Sequence, residues 1–124
     1  MVLFGSGETG NAISDQAPER CTNVQTVRTL TKIDLNFFRD IENFTAEEEP
    51  VPGGTITDAL EVSMDMLERF CGNKKYRKRL FMITDGEKET SEKDSRRIEG
   101  LVQHMKERDV RLNIITLDFG NELG

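Results

Sequence analysis

The most constraining stretch of the chain is Leu80-Phe81-Met82-Ile83, an unbroken apolar run set between Lys78-Arg79 and Thr84-Asp85-Gly86. A strand with one face in water alternates apolar and polar residues. A continuous run suits a parallel strand covered on both faces. A parallel neighbour cannot follow through a tight turn and needs a crossover, usually a helix. The downstream sequence supplies one. Ile98, Leu101, Val102 and Met105 make a buried face at helical spacing, and Ser91 with Asp94 three positions on approximates a capping box. Glu92 and Arg96 form an i,i+4 pair on the outside. Val110 to Leu117, with Leu112, Ile114 and Ile115, reads as the second strand, and Phe119 and Gly120 lead into a polar end. The segment is therefore strand–helix–strand, right-handed if parallel. Asp85 sits at the carboxyl end of its first strand, where open α/β sheets bind ligands.

Upstream, the chain opens on Met1-Val2-Leu3-Phe4, the end of a buried strand, and leaves it through Gly5-Ser6-Gly7-Glu8-Thr9-Gly10. An opening inside a core strand predicts further chain before it. Residues 11 to 21 are polar, contain Pro18, and read as a loop; residues 23 to 30 read as a strand of imperfect alternation. A first helix follows. Asp34 caps it, Ile33 and Phe38 occupy staple positions, and Phe37, Phe38, Ile41 and Phe44 form an expected buried face. Glu47-Glu48-Glu49-Pro50 and Pro52-Gly53-Gly54 end the periodicity. A second helix runs from about Thr57 to Phe70, with Thr55 or Thr57 as cap and Asp58 near its positive end. Ala59, Leu60, Val62, Met64, Met66, Leu67 and Phe70 cover more than one of its faces, so it is expected to pack between a sheet and another element. The methionines are core filler. The order is strand, strand, helix, helix, strand, helix, strand, and the simplest burial is a mostly parallel sheet with helices on both faces.

Charge excludes some functions. With 17 basic and 23 acidic residues in 124, the formal charge is −6, whereas a module that holds nucleic acid by itself is usually basic. Lys74 to Arg79, with Tyr76 among its cations, reads as a solvated connector that shields the strand after it. Cys21 and Cys71 have no metal-ligand spacing and read as free thiols of a reducing compartment. No segment reads as a secretory leader or a membrane span.

Chemistry-bearing motifs are few. Gly5-x-Gly7-x-x-Gly10 matches the dinucleotide fingerprint in letters, but Asn11, Ser14, Asp15, Gln16 and Pro18 carry no apolar helical period after it. His104 is the lone histidine and reads as a surface or boundary residue, while Ser63 and Cys71 have no basic partner at local spacing. Thr55 and Asp85 are the metal-site candidates: a hydroxyl and a carboxylate suit Mg²⁺, but two groups leave most of an octahedral shell to water. Local roles are the preferred reading for these residues, Thr55 as a helix cap and Asp85 bonded to nearby amides.

Two motifs carry a family resemblance. Gly53-Gly54-Thr55-Ile56-Thr57-Asp58-Ala59-Leu60 resembles the second metal-site loop and helix of the von Willebrand factor A family, and Ile83-Thr84-Asp85-Gly86 resembles its third. Within it, Val2-Leu3-Phe4-Gly5, the helix from Asp58 to Leu67 and the segment from Lys74 to Asp85 resemble the large-subunit family of the Ku heterodimer. The resemblance implies one partial A-type domain over residues 1–124, a three-layer Rossmann-like α/β fold without the family's first strand, Asp-x-Ser-x-Ser loop and first helix. It implies a nuclear, non-enzymatic, protein-interaction domain in non-homologous end joining and telomere maintenance. Its implied partners are the Ku small subunit and end-joining proteins. Double-stranded DNA ends are held by a central β-barrel and bridge outside this chain, and no membrane is involved. No cofactor is implied, and Thr55 and Asp85 become remnants of a metal site. The alternatives are another intracellular A-type domain with a working Mg²⁺ ligand site and, from the glycines, an NAD-dependent enzyme.

Overall fold

The computed structural model describes residues 1–44, 49, 51–85 and 92–117. Gly86, Ser91, Phe119, Gly120 and most of Glu47 to Pro50, all used in the sequence reading, lie outside them. The chain forms two compact units, Met1–Gly72 and Asn73–Gly124.

The first unit is built on a short antiparallel pair, β1 (Val2–Phe4) and β2 (Val24–Thr26), in the register Val2↔Thr26 and Phe4↔Val24. The pairing is therefore mixed, antiparallel here where the sequence suggested a mostly parallel sheet, and the left-handed residues Gly5, Cys21 and Asn23 shape the connection between the strands. It also shortens the expected strand from 23–30. Past Thr26 the amides of Val27 and Arg28 both donate to the Met1 carbonyl, so the ladder ends there. The segment read as a loop contains a short helix, α1 (Ala12–Gln16). No apolar period announced it. It is nucleated by a capping box in which the Asn11 side chain accepts from the Ser14 amide and the Ser14 hydroxyl accepts from the Asn11 amide.

Helix α2 (Leu35–Glu42) starts where expected, with the Asp34 side chain accepting from the Phe37 amide. Its apolar face is not buried: Phe38 is 55% exposed, Ile41 45%, and the staple residue Ile33 is exposed too. Phe37 is half-buried and meets Phe38 edge-to-face, with ring centroids 5.6 Å apart. Arg28 is a polar tether for this helix, bonding Asp40 at 2.5 Å and Asp34 at 3.5 Å. The Asp40 hydrogen bond raises the already high pKa of that guanidinium.

Helix α3 (Ile56–Cys71) packs against β1, β2 and α1. Thr55 is its cap, accepting from the Asp58 amide, while Thr57 is buried within it. Its buried residues Thr57, Ala59, Leu60, Val62, Met64 and Cys71 span roughly 200° of arc at the helical repeat, matching the expectation of burial on more than one face. Phe70 is the departure, exposed at the last turn. Val62 joins Cys21 and Val24 in a small core flanked by Val2, Phe4 and Ile13.

The second unit is the expected strand–helix–strand. Strands β3 (Lys78–Thr84) and β4 (Val110–Thr116) are parallel in the register Leu80↔Leu112 and Met82↔Ile114, joined through α4 (Glu92–Glu107). The expectation of burial on both faces is corrected. Leu80 and Leu112 are half-buried and Met82 is buried, but its partner Ile114 is exposed, and on the other side Phe81 is 60% exposed, Ile83 58%, and Ile115 is exposed too. Successive residues of a strand point to opposite faces, so an unbroken apolar run states what each face can bury, not what covers it. On α4, Met105 is buried and Ile98 and Leu101 half-buried, as expected, while Val102 is exposed. Asp94 and Arg97 take the half-buried positions beside them and pair at 3.5 Å.

Candidate functional site

Three loops of the first unit meet at Asn23. This residue adopts a left-handed conformation, φ 57°, which Asn tolerates better than most side chains. Its amide donates to Thr9 Oγ1, its side-chain nitrogen donates to the Ser6 carbonyl, and its carbonyl accepts from the Ser6 amide. Its side-chain oxygen accepts from the Gly53 amide at 3.0 Å, and the neighbouring Thr22 carbonyl accepts from the Gly54 amide at 2.8 Å. The contact is tight enough to require glycine. Gly54 has φ +74°, and a Cβ there would lie 2.1 Å from the Gly5 nitrogen and 2.6 Å from its Cα. The same junction delivers Thr55 to the start of α3.

The two metal-loop candidates fall in different units. Thr55 belongs to the first, and its hydroxyl accepts from the Asp58 amide at 3.2 Å. Asp85 belongs to the second, exposed at the carboxyl end of β3 as expected. A different set of ligand-bearing atoms converges beside the junction. The Cys21 thiol lies 3.9 Å from Asp58 Oδ1 and 3.7 Å from Glu61 Oε2, and one ligand atom from each residue lies within 4.8 Å of the other two. Arg20 pairs with the other Glu61 oxygen, Oε1. Elsewhere in the unit an open cleft of about 580 Å³ is lined by Leu30, Val62, Met66 and Phe70, with the Asp65–Arg69 ion pair also on its wall at 2.7 Å.

The family model of the Ku70/Ku80 N-terminal alpha/beta domain matches residues 1–120. The chain belongs to this family. Its similarity to individual relatives agrees. It is 32% identical to the X-ray repair cross-complementing protein 5 of Dictyostelium discoideum over 123 residues, 99% of this chain and 14% of that protein. It is 26% identical to the ATP-dependent DNA helicase 2 subunit KU80 of Oryza sativa subsp. japonica over 121 residues, 93% of this chain and 17% of that protein. A 66-residue stretch is 32% identical to the ATP-dependent DNA helicase II subunit 2 of Coccidioides immitis (strain RS), covering 53% of this chain and 9% of that protein. The chain thus spans less than a fifth of each relative.

In this Ku-family domain the remaining sequence candidates fall into structural roles. Gly10 bonds β2 through its amide to Val24 and its carbonyl to Thr26, and Asn11 occupies the Ser14 amide at the start of α1, so the glycine motif serves the sheet edge. Ser63 donates to the Ala59 carbonyl within α3. His104 is half-buried, its Nδ1 3.9 Å from Glu107. Lys74, Lys75, Tyr76 and Arg77 are exposed, as a solvated connector requires. Among the described residues no helix is long and apolar enough to cross a membrane. Sequence reasoning passed over Asn23 and read Cys21 only as a free thiol, which it is. Nothing in the local spacing of Asn23 marks a hub, and Cys21 is separated from its carboxylate neighbours by more than thirty positions.

Proposed function

We propose that this chain is a protein-interaction domain of a Ku-like DNA-end-binding subunit, acting in the nucleus in double-strand-break repair by non-homologous end joining and in telomere maintenance. The observation that carries the reading is the Ku-family match over residues 1–120. The formal charge of −6 supports it, because phosphate binding needs a cationic surface. In this reading residues 1–124 form a single partial A-type domain, three-layered and Rossmann-like. DNA ends are held by regions outside it, and its partners are the Ku small subunit and end-joining proteins. The concave surface lined by Val62, Met66 and Phe70 and the exposed Phe38–Ile41 face of α2 supply apolar contact area for them. The domain binds and does not catalyse. Thr55 and Asp85 are remnants of the A-type metal loops, Thr55 being engaged in capping α3.

Fluorescence anisotropy with a labelled blunt duplex tests the division of labour. The 124-residue chain is expected to show no saturable end binding at physiological salt. Tight binding that a circular duplex fails to compete would place end recognition in this chain and overturn the reading. Calorimetry with Mg²⁺ is expected to show no heat of binding at millimolar metal.

A further inference from the structure

We propose that Cys21, Asp58 and Glu61 form a binding site for a thiophilic divalent cation, with Zn²⁺ as the best fit. The three come from two separately fixed segments. Asp58 and Glu61 are i and i+3 on α3 and project from the same side of its first turns. Cys21 sits in a turn pinned by Asn11, whose side-chain nitrogen donates to the Cys21 carbonyl at 3.0 Å and to the Val24 carbonyl at 2.8 Å. That turn holds Cys21 at φ 50°, buried at 4% exposure, with its sulfur facing both carboxylates.

The spacing suits a tetrahedral ion. Zn–S bonds of about 2.3 Å and Zn–O bonds of about 2.0–2.2 Å at tetrahedral angles separate S and O by about 3.5 Å. The observed S–O separations of 3.9 and 3.7 Å are a few tenths of an ångström wide, and with the three ligand atoms within 4.8 Å of one another the two carboxylates must also turn toward each other to reach the roughly 3.4 Å of a tetrahedral O–O pair. The protonated thiol can donate to one carboxylate at a time, yet two face it. Arg20 engages Glu61 through Oε1 and leaves Oε2 on the sulfur side. It thereby acts as a positioning residue, orienting a ligand as outer partners do in metal sites.

The donor set selects the metal. Mg²⁺ and Ca²⁺ take oxygen ligands in six- to eight-fold shells. A thiolate with two carboxylates favours Zn²⁺, with water completing four-coordination. On binding, the Cys21 S–H bond breaks, the sulfur's electron pair forms the S–Zn bond, and the proton leaves to solvent. The oxidation state of the metal is unchanged. Two carboxylates and a thiolate bring −3 to the dication, so the site keeps an overall charge of −1, against which Arg20 stands. None of this depends on the proposed partners of the domain.

Titrating Co²⁺ into the reduced 124-residue chain reads the site directly, because a bound thiolate gives a sulfur-to-cobalt charge-transfer absorption in the near ultraviolet. One band per chain is expected, saturating at one equivalent, bleached by Zn²⁺ and unaffected by excess Mg²⁺. Cys21→Ser should abolish it and Cys71→Ser should leave it intact. Glu61→Gln, at a partly exposed position, should weaken Co²⁺ binding by at least the roughly tenfold lost when an outer partner of a ligand is removed, with an unchanged circular dichroism spectrum. No band at millimolar Co²⁺ in the folded parent chain would overturn the proposal. So would a band that survives Cys21→Ser, or one that Glu61→Gln leaves at parental affinity.

Discussion

Helices α2 and α3 are written with the same sequence signals. Each has a capping side chain that accepts from the amide three residues on, Asp34 from Phe37 and Thr55 from Asp58. Each carries large apolar side chains at helical spacing. Yet α3 buries six residues and α2 buries none. The difference lies in what delivers each helix. Gly53 and Gly54 bring the start of α3 within backbone contact of Thr22, Asn23 and Gly5, closer than any side chain would permit, and its face then closes on Val24 and its neighbours. Helix α2 is held instead by Arg28 through the carboxylates of Asp34 and Asp40, a polar tether that sets its position without covering its face. Periodicity states which face a helix can bury. Only the approach of another element decides whether it does.

The largest effect is expected at the glycine junction. Gly54→Val should cost about 3 kcal/mol or more, because it combines a left-handed backbone with a clash against the Gly5 backbone; the urea midpoint checks it, and a parental midpoint would mean the loops do not touch. Leu60→Ala, in the buried arc of α3, should cost about 2–5 kcal/mol in the same assay. Thr55→Ala removes the cap and should cost about 1 kcal/mol, with Thr55→Ser retaining most of the stability. Phe38→Ala on α2 should change stability by no more than about 0.5 kcal/mol. A loss as large as that of Leu60→Ala would show that this face is covered in solution, as its periodicity suggests.

Much of the architecture was legible in the residues. The capped starts at Asp34 and Thr55, the near-full length of α3 and the strand–helix–strand of the second unit all follow from local signals: caps, 3.6-residue periods and a continuous apolar run. The parts that were not legible depend on distant partners. The exposure of Phe38, Phe81 and Ile83 is set by what lies opposite them, which periodicity does not encode. The antiparallel β1–β2 pair depends on a connection shaped by left-handed Gly5, Cys21 and Asn23, and of these only Gly5 announces a turn in the sequence. Helix α1 is too short to show a period, although Asn11 and Ser14 carried its capping box in plain view. At the candidate site, Thr55 and Asp85 were visible as loop-end residues. The approach of Cys21 to Asp58 and Glu61 was not, because it exists only once the segment that carries Cys21 meets α3.

The proposed division of labour between end binding and partner contact is tested most directly in an intact Ku-family protein, with and without the segment that corresponds to residues 1–120. Deleting that segment and measuring DNA-end binding and recruitment of end-joining proteins side by side separates the two roles. End binding is expected to stay close to that of the intact protein, with recruitment lost. Loss of end binding from a deletion variant that remains folded would contradict it.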